Sequence, residues 1–480
     1  MKQRISDVFP KTPTGIDGLD KVTDGGIPKN RPTLLCGSAG CGKTLFAIQF
    51  LAKGIMDYNE PGVFMSFEET TFDLAQNVKS LGIDLEKLIK ENKLRVDHVK
   101  VERAEIEETG EFNLEGLFIR LNYAIDSIGA KRVVLDTIES LFGGIENTTL
   151  LRSEIRRLFH WLKEKGVTAI ITGERGEKSL TRQGLEEYVS DCVILLDFRV
   201  DDQIATRRLR IVKYRGSSHG TNEYPFLIDE SGISVMPITS IKLEHTISNQ
   251  IISTGHSEID KLFKKGGIYR GSSLLLTGTA GTAKTILASY FARSSCMRNE
   301  QTLYFSFEES PDQLVRNMKS VGINLNSYRK DKLLHINSAR PSLTGLEMHL
   351  LVLHKLIERQ QPQTVIIDPI SSLATVGNIN EVRDMLVRLI DLLKLRGINA
   401  FFTCLTHARG QEENDTTVHA VSSIADIWIS MENEVESNNR VRNMRIIKVR
   451  GMGHNPEAQP FVISEKGISL LNSKIMTNSN

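Results

Sequence analysis

The chain has 480 residues, too many for one ordinary hydrophobic core, and length alone suggests two to four domains. Its 40% hydrophobic content with 36 glycines is usual for a soluble globular protein. A formal net charge of +1 gives no global pull toward nucleic acid or a membrane surface, and no stretch reaches the roughly 18 to 20 apolar residues that span a bilayer.

The opening M-K-Q-R-I-S-D-V-F-P has no apolar run and no cleavage signal, so a cytoplasmic protein is expected. Pro32 to Cys36 then reads as a buried strand. It leads into Gly37-Ser38-Ala39-Gly40-Cys41-Gly42-Lys43-Thr44, which fits G-x-x-x-x-G-K-[ST]. Such a loop wraps backbone N–H groups around nucleotide phosphates; Lys43 reaches the terminal phosphates and Thr44 binds Mg²⁺. Thr44 to Gly54 reads as the helix behind it. Val63 to Phe67 reads as a strand running into Glu68 and Glu69. A carboxylate there can take a proton from an attacking water or hydroxyl; the plainer reading is acidic residues favoured near a helix start. Arg132 to Asp136 reads as a strand whose terminal Asp136 organises Mg²⁺, and Thr168 to Thr172 as another strand. Lys213, Arg215 and His219 lie in K-Y-R-G-S-S-H. On a strand, residues two apart share a face, so the two cations and the histidine can grip the γ-phosphate of a nucleotide on a neighbouring subunit. The plainer reading is a basic edge strand that resists aggregation.

The second half repeats the first. Gly278-Thr279-Ala280-Gly281-Thr282-Ala283-Lys284-Thr285 is a second phosphate loop, with Ala283 in place of the last glycine. Glu308 and Glu309 again follow Ser-Phe, Asp368 ends T-V-I-I-D, and Lys448, Arg450 and His454 form K-V-R-G-M-G-H. Each half closes on a similar phrase, P-F-L-I-D-E-S-G-I-S or P-F-V-I-S-E-K-G-I-S. The boundary therefore falls near residues 236 to 250, with domains at 1–240 and 241–480. Short apolar β-branched runs alternating with helical patterns predict an α/β fold, a mostly parallel sheet flanked by helices in each half. Ligands bind at the carboxyl ends of such strands. The cysteines Cys36, Cys41, Cys192, Cys296 and Cys404 form no C-x-x-C pair, which speaks against a cysteine metal site and for reduced thiols.

Taken together, the doubled S-F-E-E, the doubled K-x-R-G-x-x-H and the order of the elements resemble the KaiC family of RecA-like ATPases, over nearly the whole chain. The resemblance implies two RecA-like P-loop domains, stacked rings in a homohexamer, ATP and Mg²⁺ at subunit interfaces, slow hydrolysis in the N-terminal ring, and serine/threonine autophosphorylation and its reversal in the C-terminal ring. The family's acceptor pair matches Ser422 and Ser423, and a threonine near the phosphoryl path matches Thr417. The first half has Glu187 and Tyr188 opposite the pair, which confines the hydroxyls to the second half. With Ser422 or Ser423 in place of water, Glu308 is the expected base. A KaiB-like partner on the N-terminal ring is compatible with the sequence. Only about a dozen residues follow the closing phrase, so a KaiA-type activator that grips a longer tail is not expected.

Two other readings stay open at this level. A nucleic-acid-dependent RecA-like motor needs basic mobile loops with interleaved aromatics, and the sequence has none. A nucleotide-gated scaffold without kinase chemistry needs only the loops.

Overall fold

The structure is a computed structural model and describes residues 9–99, 114–142, 148–176, 190–201, 204–237, 248–377, 379–406, 421–436 and 439–471. Thr417, Glu187, Tyr188, the segment beyond residue 471 and most of the expected boundary lie outside the described residues. The chain divides into two compact units, Met1–Thr239 and Ser240–Asn480.

Among the described residues, each unit is built on a nine-stranded sheet. The first runs, edge to edge, Gly232–Val235, Glu223–Asp229, Ile204–Tyr214, Cys192–Asp201, Pro32–Gly37, Thr168–Glu174, Arg132–Asp136, Gly62–Ser66 and Leu94–His98. The six strands from Cys192–Asp201 to Leu94–His98 are parallel, and the other three extend the sheet antiparallel. The second sheet repeats this order, from Leu334–Ser338 through the central Ser273–Gly278 to Gly467–Leu470.

The central parallel strands are mostly apolar and buried because both faces are covered. Successive side chains alternate between two layers. Leu35, Phe64, Val134 and Ile170 pack with Phe46, Phe50 and Leu74 on one face. Val63, Met65, Val133 and Ile171 pack with Leu121, Ile155 and Leu158 on the other. Helix starts are locally coded. The Thr70 hydroxyl accepts from Asp73 N–H, and Ser310 and Gln313 form a reciprocal capping box with Pro311 in the first turn. No helix among the described residues is long and apolar enough to cross a membrane. The five cysteines are buried and none is in a disulfide.

Candidate functional site

The central strand of each sheet ends at the first glycine of its loop, and a helix starts at the loop lysine: Lys43–Tyr58 in one unit, Lys284–Met297 in the other. Both loops turn into the helix through a left-handed residue. This is Gly42 at φ +105° and Ala283 at φ +73°, so the alanine takes up the glycine-type turn. Lys43 Nζ donates to the carbonyls of Gly37 (2.9 Å) and Ser38 (3.0 Å). Lys284 does the same to Gly278 (2.7 Å) and Thr279 (2.8 Å), and burial pushes its ammonium below the ordinary lysine value. The loops have room for a ligand, since a Cβ added at Gly40 or Gly281 would meet nothing within 4 Å.

Asp136 lies at the end of its strand and is nearly buried. Its Oδ2 accepts from Thr44 Oγ1 at 2.8 Å, and its Oδ1 accepts from Thr172. Burial raises its carboxyl above the usual range, against the pull of those two hydroxyls. A hydroxyl and a carboxylate side by side at a phosphate loop suit Mg²⁺, which uses one or two carboxylates and completes its shell with water and substrate phosphate. Among the described residues no group of three or more His, Cys, Asp or Glu converges on a point. In the second unit Asp368 Oδ1 accepts from Thr403 and Oδ2 from Tyr304 Oη at 2.6 Å.

The glutamate pairs do not continue their strands as extended backbone. The strands end at Ser66 and Ser306, and the serine hydroxyls accept from the N–H of Glu69 and Glu309, each at 3.0 Å. These small rings bend the chain. The paired carboxylates therefore part by the turn rather than by strand alternation. Glu68 accepts from Thr137 Oγ1 (3.0 Å) and Ser140 Oγ, at the end of the Asp136 strand. Glu308 accepts from Ser372 Oγ at 3.2 Å. Glu69 and Glu309 turn to their following helices and accept from Asn77 and Asn317, each at 3.0 Å. Burial raises the Glu69 carboxyl, against the Asn77 hydrogen bond.

The basic motif lies elsewhere. Lys213 and Lys448 are on strands, but the strands end at Tyr214 and Val449. Arg215 and Arg450 fall in the turn beyond, beside Gly216 and Gly451 at φ +84° and +71°. Lys448 and Arg450 nevertheless reach the same carbonyl, that of Ser423. His219 stacks on Tyr214 with ring centroids 6.2 Å apart, and His454 forms a backbone bridge with Phe263.

Ser422 is nearly buried and ends a helical turn; Ser423 is exposed. Their carbonyls are held by the second motif. Lys448 Nζ donates to Ser422 O (2.7 Å), Ala425 O (2.8 Å) and Ser423 O (3.4 Å), and Arg450 donates to Ser423 O (2.5 Å). Cations suit these orphan helix-end carbonyls. Burial, then the neighbouring Arg450, lowers the Lys448 ammonium.

Asp426 fixes the segment to the sheet. It accepts from Ser273 N–H (2.9 Å), Ser273 Oγ (2.8 Å) and Lys394 (2.9 Å). Burial alone would raise its carboxyl, but these donors outweigh it and hold it below the usual range. Ser273 is the first residue of the central strand and Gly278 the last. Five strand steps, about 17 Å, therefore separate the end of the sheet that carries Ser422 and Ser423 from the end that carries the phosphate loop.

Sequence reasoning missed the supporting residues. Thr172 and Thr403, Ser140 and Ser372, and Asn77 and Asn317 recur at matching places in the two halves, so their repetition was the available signal. The buried Asp191 was missed too; it pairs with Lys163 (2.6 Å), Arg31 (3.5 Å) and Arg215 (3.6 Å), as Asp426 pairs with Lys394 and Arg450.

Two strand–loop–helix phosphate cradles, each on its own mostly parallel sheet, define the class: a tandem RecA-like P-loop protein. Within that class, the model of the family described as ATPase: KaiC matches residues 12–240 and 252–475. The circadian clock protein KaiC2 of Synechocystis sp. is 52% identical over 97% of this chain and 82% of its own length. The circadian clock oscillator protein KaiC of Synechococcus elongatus is 36% identical over 96% of this chain and 89% of its own, and that of Parathermosynechococcus lividus 36% identical over 97% and 86%. The chain belongs to the KaiC family of ATPases.

Proposed function

We propose that the chain is a homohexameric ATPase and autokinase that serves a circadian clock or a related signalling pathway. It hydrolyses ATP in its first unit and phosphorylates Ser422 or Ser423 in its second. The names of its relatives motivate the clock role, and the family resemblance motivates a KaiB-like partner on the first ring. In the first site Lys43 holds the terminal phosphates and Glu68, oriented by Thr137 and Ser140, takes the proton of the attacking water. In the second, Lys284 holds the phosphates and Glu308 takes the proton of a serine hydroxyl. The serine oxygen then bonds to the γ-phosphorus and ADP leaves. Magnesium, held at Thr44 and Asp136 or at Thr285 and Asp368, supplies charge neutralisation on the phosphates.

One observation carries the kinase reading. The acceptor serines lie beside Lys448 and Arg450, at the end of the sheet away from the loop of their own unit. That placement suits a serine that meets the nucleotide of a neighbouring subunit, with the two cations at the same contact. The fit requires Lys448 and Arg450 to exchange carbonyl partners for phosphate oxygens. Intact mass after incubation with Mg-ATP tests the reading. A phosphoryl addition is expected, absent in Ser422→Ala/Ser423→Ala and strongly slowed in Glu308→Gln. An unmodified wild-type mass removes the kinase.

A further inference from the structure

The carboxylates of Asp136 and Asp368 sit in closely similar frames. Asp136 lies in register with Ser66 and Asp368 with Ser306. Each takes a hydrogen bond on Oδ1 from a threonine of the next strand. They differ at Oδ2. In the first unit this oxygen accepts from the loop hydroxyl Thr44. In the second it accepts from the phenol of Tyr304, and among the described residues no hydrogen bond joins Thr285 to Asp368. The position of Tyr304, two residues before the strand-end serine, is held in the first unit by Phe64. Both rings are buried in the corresponding layer, Phe64 with Val134 and Ile170, Tyr304 with Ile366 and Phe401. A buried tyrosine hydroxyl seeks a partner, and here the partner is Asp368.

We propose that Tyr304 is a positioning residue of the second nucleotide site, holding Asp368 so that this site requires a higher Mg²⁺ concentration than the first. The inference rests on the reading of Gly278–Thr285 as a nucleotide loop. In the first unit the hydroxyl and carboxylate that fit Mg²⁺ already touch. In the second, Asp368 must share or give up a charge-assisted hydrogen bond to serve the same role. Lost preorganisation of this kind appears as weaker binding. One hydroxyl on a shared scaffold thus separates two otherwise similar sites.

The test uses the full chain carrying Lys43→Ala, which leaves the second loop as the nucleotide site, and follows a fluorescent ATP analogue through a Mg²⁺ titration. Tyr304→Phe is expected to lower the Mg²⁺ midpoint about three- to ten-fold, the range one hydrogen bond spans. Affinity for the analogue in EDTA should stay unchanged, which a general loss of structure would not allow. The reciprocal Phe64→Tyr, in a chain carrying Lys284→Ala, should raise the midpoint of the first site. An unchanged midpoint in Tyr304→Phe overturns the inference and leaves the nucleotide reading standing; should that variant not fold, an unchanged midpoint in Phe64→Tyr does so. Failure of the Lys43→Ala chain to bind the analogue at any Mg²⁺ concentration overturns both.

Discussion

A single methyl distinguishes the turn residues of the two phosphate loops. Ala283 holds φ +73°, where an L-residue costs roughly 1–2 kcal/mol. Two effects offset that strain. The methyl packs against the core of its unit, worth up to about 0.8 kcal/mol, and glycine would add about 0.4–1 kcal/mol of unfolded-state freedom. Ala283→Gly should therefore change stability by less than about 1 kcal/mol. Gly42→Ala should behave differently. Its φ is +105°, farther from the left-handed well, and the new Cβ would lie 2.9 Å from Ile228 Cδ1. A loss of about 2 kcal/mol is expected, read as a lower urea midpoint for the first unit; equal midpoints would show that the loop relaxes. At this scale the sequence displayed the loops, their lysines and hydroxyls, and the strand-end carboxylates, because each has a fixed place in a motif. It did not display Tyr304, Thr172 or Thr403, whose importance depends on which strands are neighbours.

The helix after the first loop shows where local signals mislead. Gly54 invites the reading of a helix end, yet the helix continues to Tyr58 and Asn59, at φ +53°, caps it. Gly54 is glycine because of the element beneath it. A Cβ there would fall 2.3 Å from Nε of Arg132, a fully buried guanidinium that donates to Glu60 (2.7 Å) and to Phe50 O (2.9 Å). Alanine within a helix normally stabilises by roughly 0.5–1 kcal/mol over glycine. Disrupting a buried ion pair costs about 3–5 kcal/mol, so displacement of Arg132 wins. Gly54→Ala should lower the stability of the first unit by about 2–4 kcal/mol in chemical denaturation; a gain would mean that Arg132 moves aside freely. The apolar strand interiors were legible because parallel strands covered on both faces leave few polar positions. Their ends were less so: Ser66 and Ser306 bend the chain into the glutamates, and Gly216 and Gly451 end the strands before Arg215 and Arg450.

The duplication was plain in the sequence, since two halves with the same motifs in the same order need no structure to be seen. The proposed meeting of subunits was expected from the family resemblance alone, because it depends on surfaces that only a second copy completes. The separation of the loop from Ser422 and Ser423 along Ser273–Gly278 makes a testable demand on the proposed assembly. Subunits carrying Lys284→Ala keep Ser422 and Ser423 but lack the lysine that holds the phosphates of the second loop. Subunits carrying Ser422→Ala/Ser423→Ala keep that lysine but lack the hydroxyls. Neither alone should become phosphorylated. Mixed and allowed to exchange with Mg-ATP, they should place phosphate on the Lys284→Ala chains, resolved by mass. The yield should rise with the fraction of mixed neighbours and vanish when the lysine-deficient chains also carry the serine substitutions. Phosphate appearing in wild-type chains held as monomers would instead mean that one chain can bridge about 17 Å on its own, and the ring would lose its role in the chemistry.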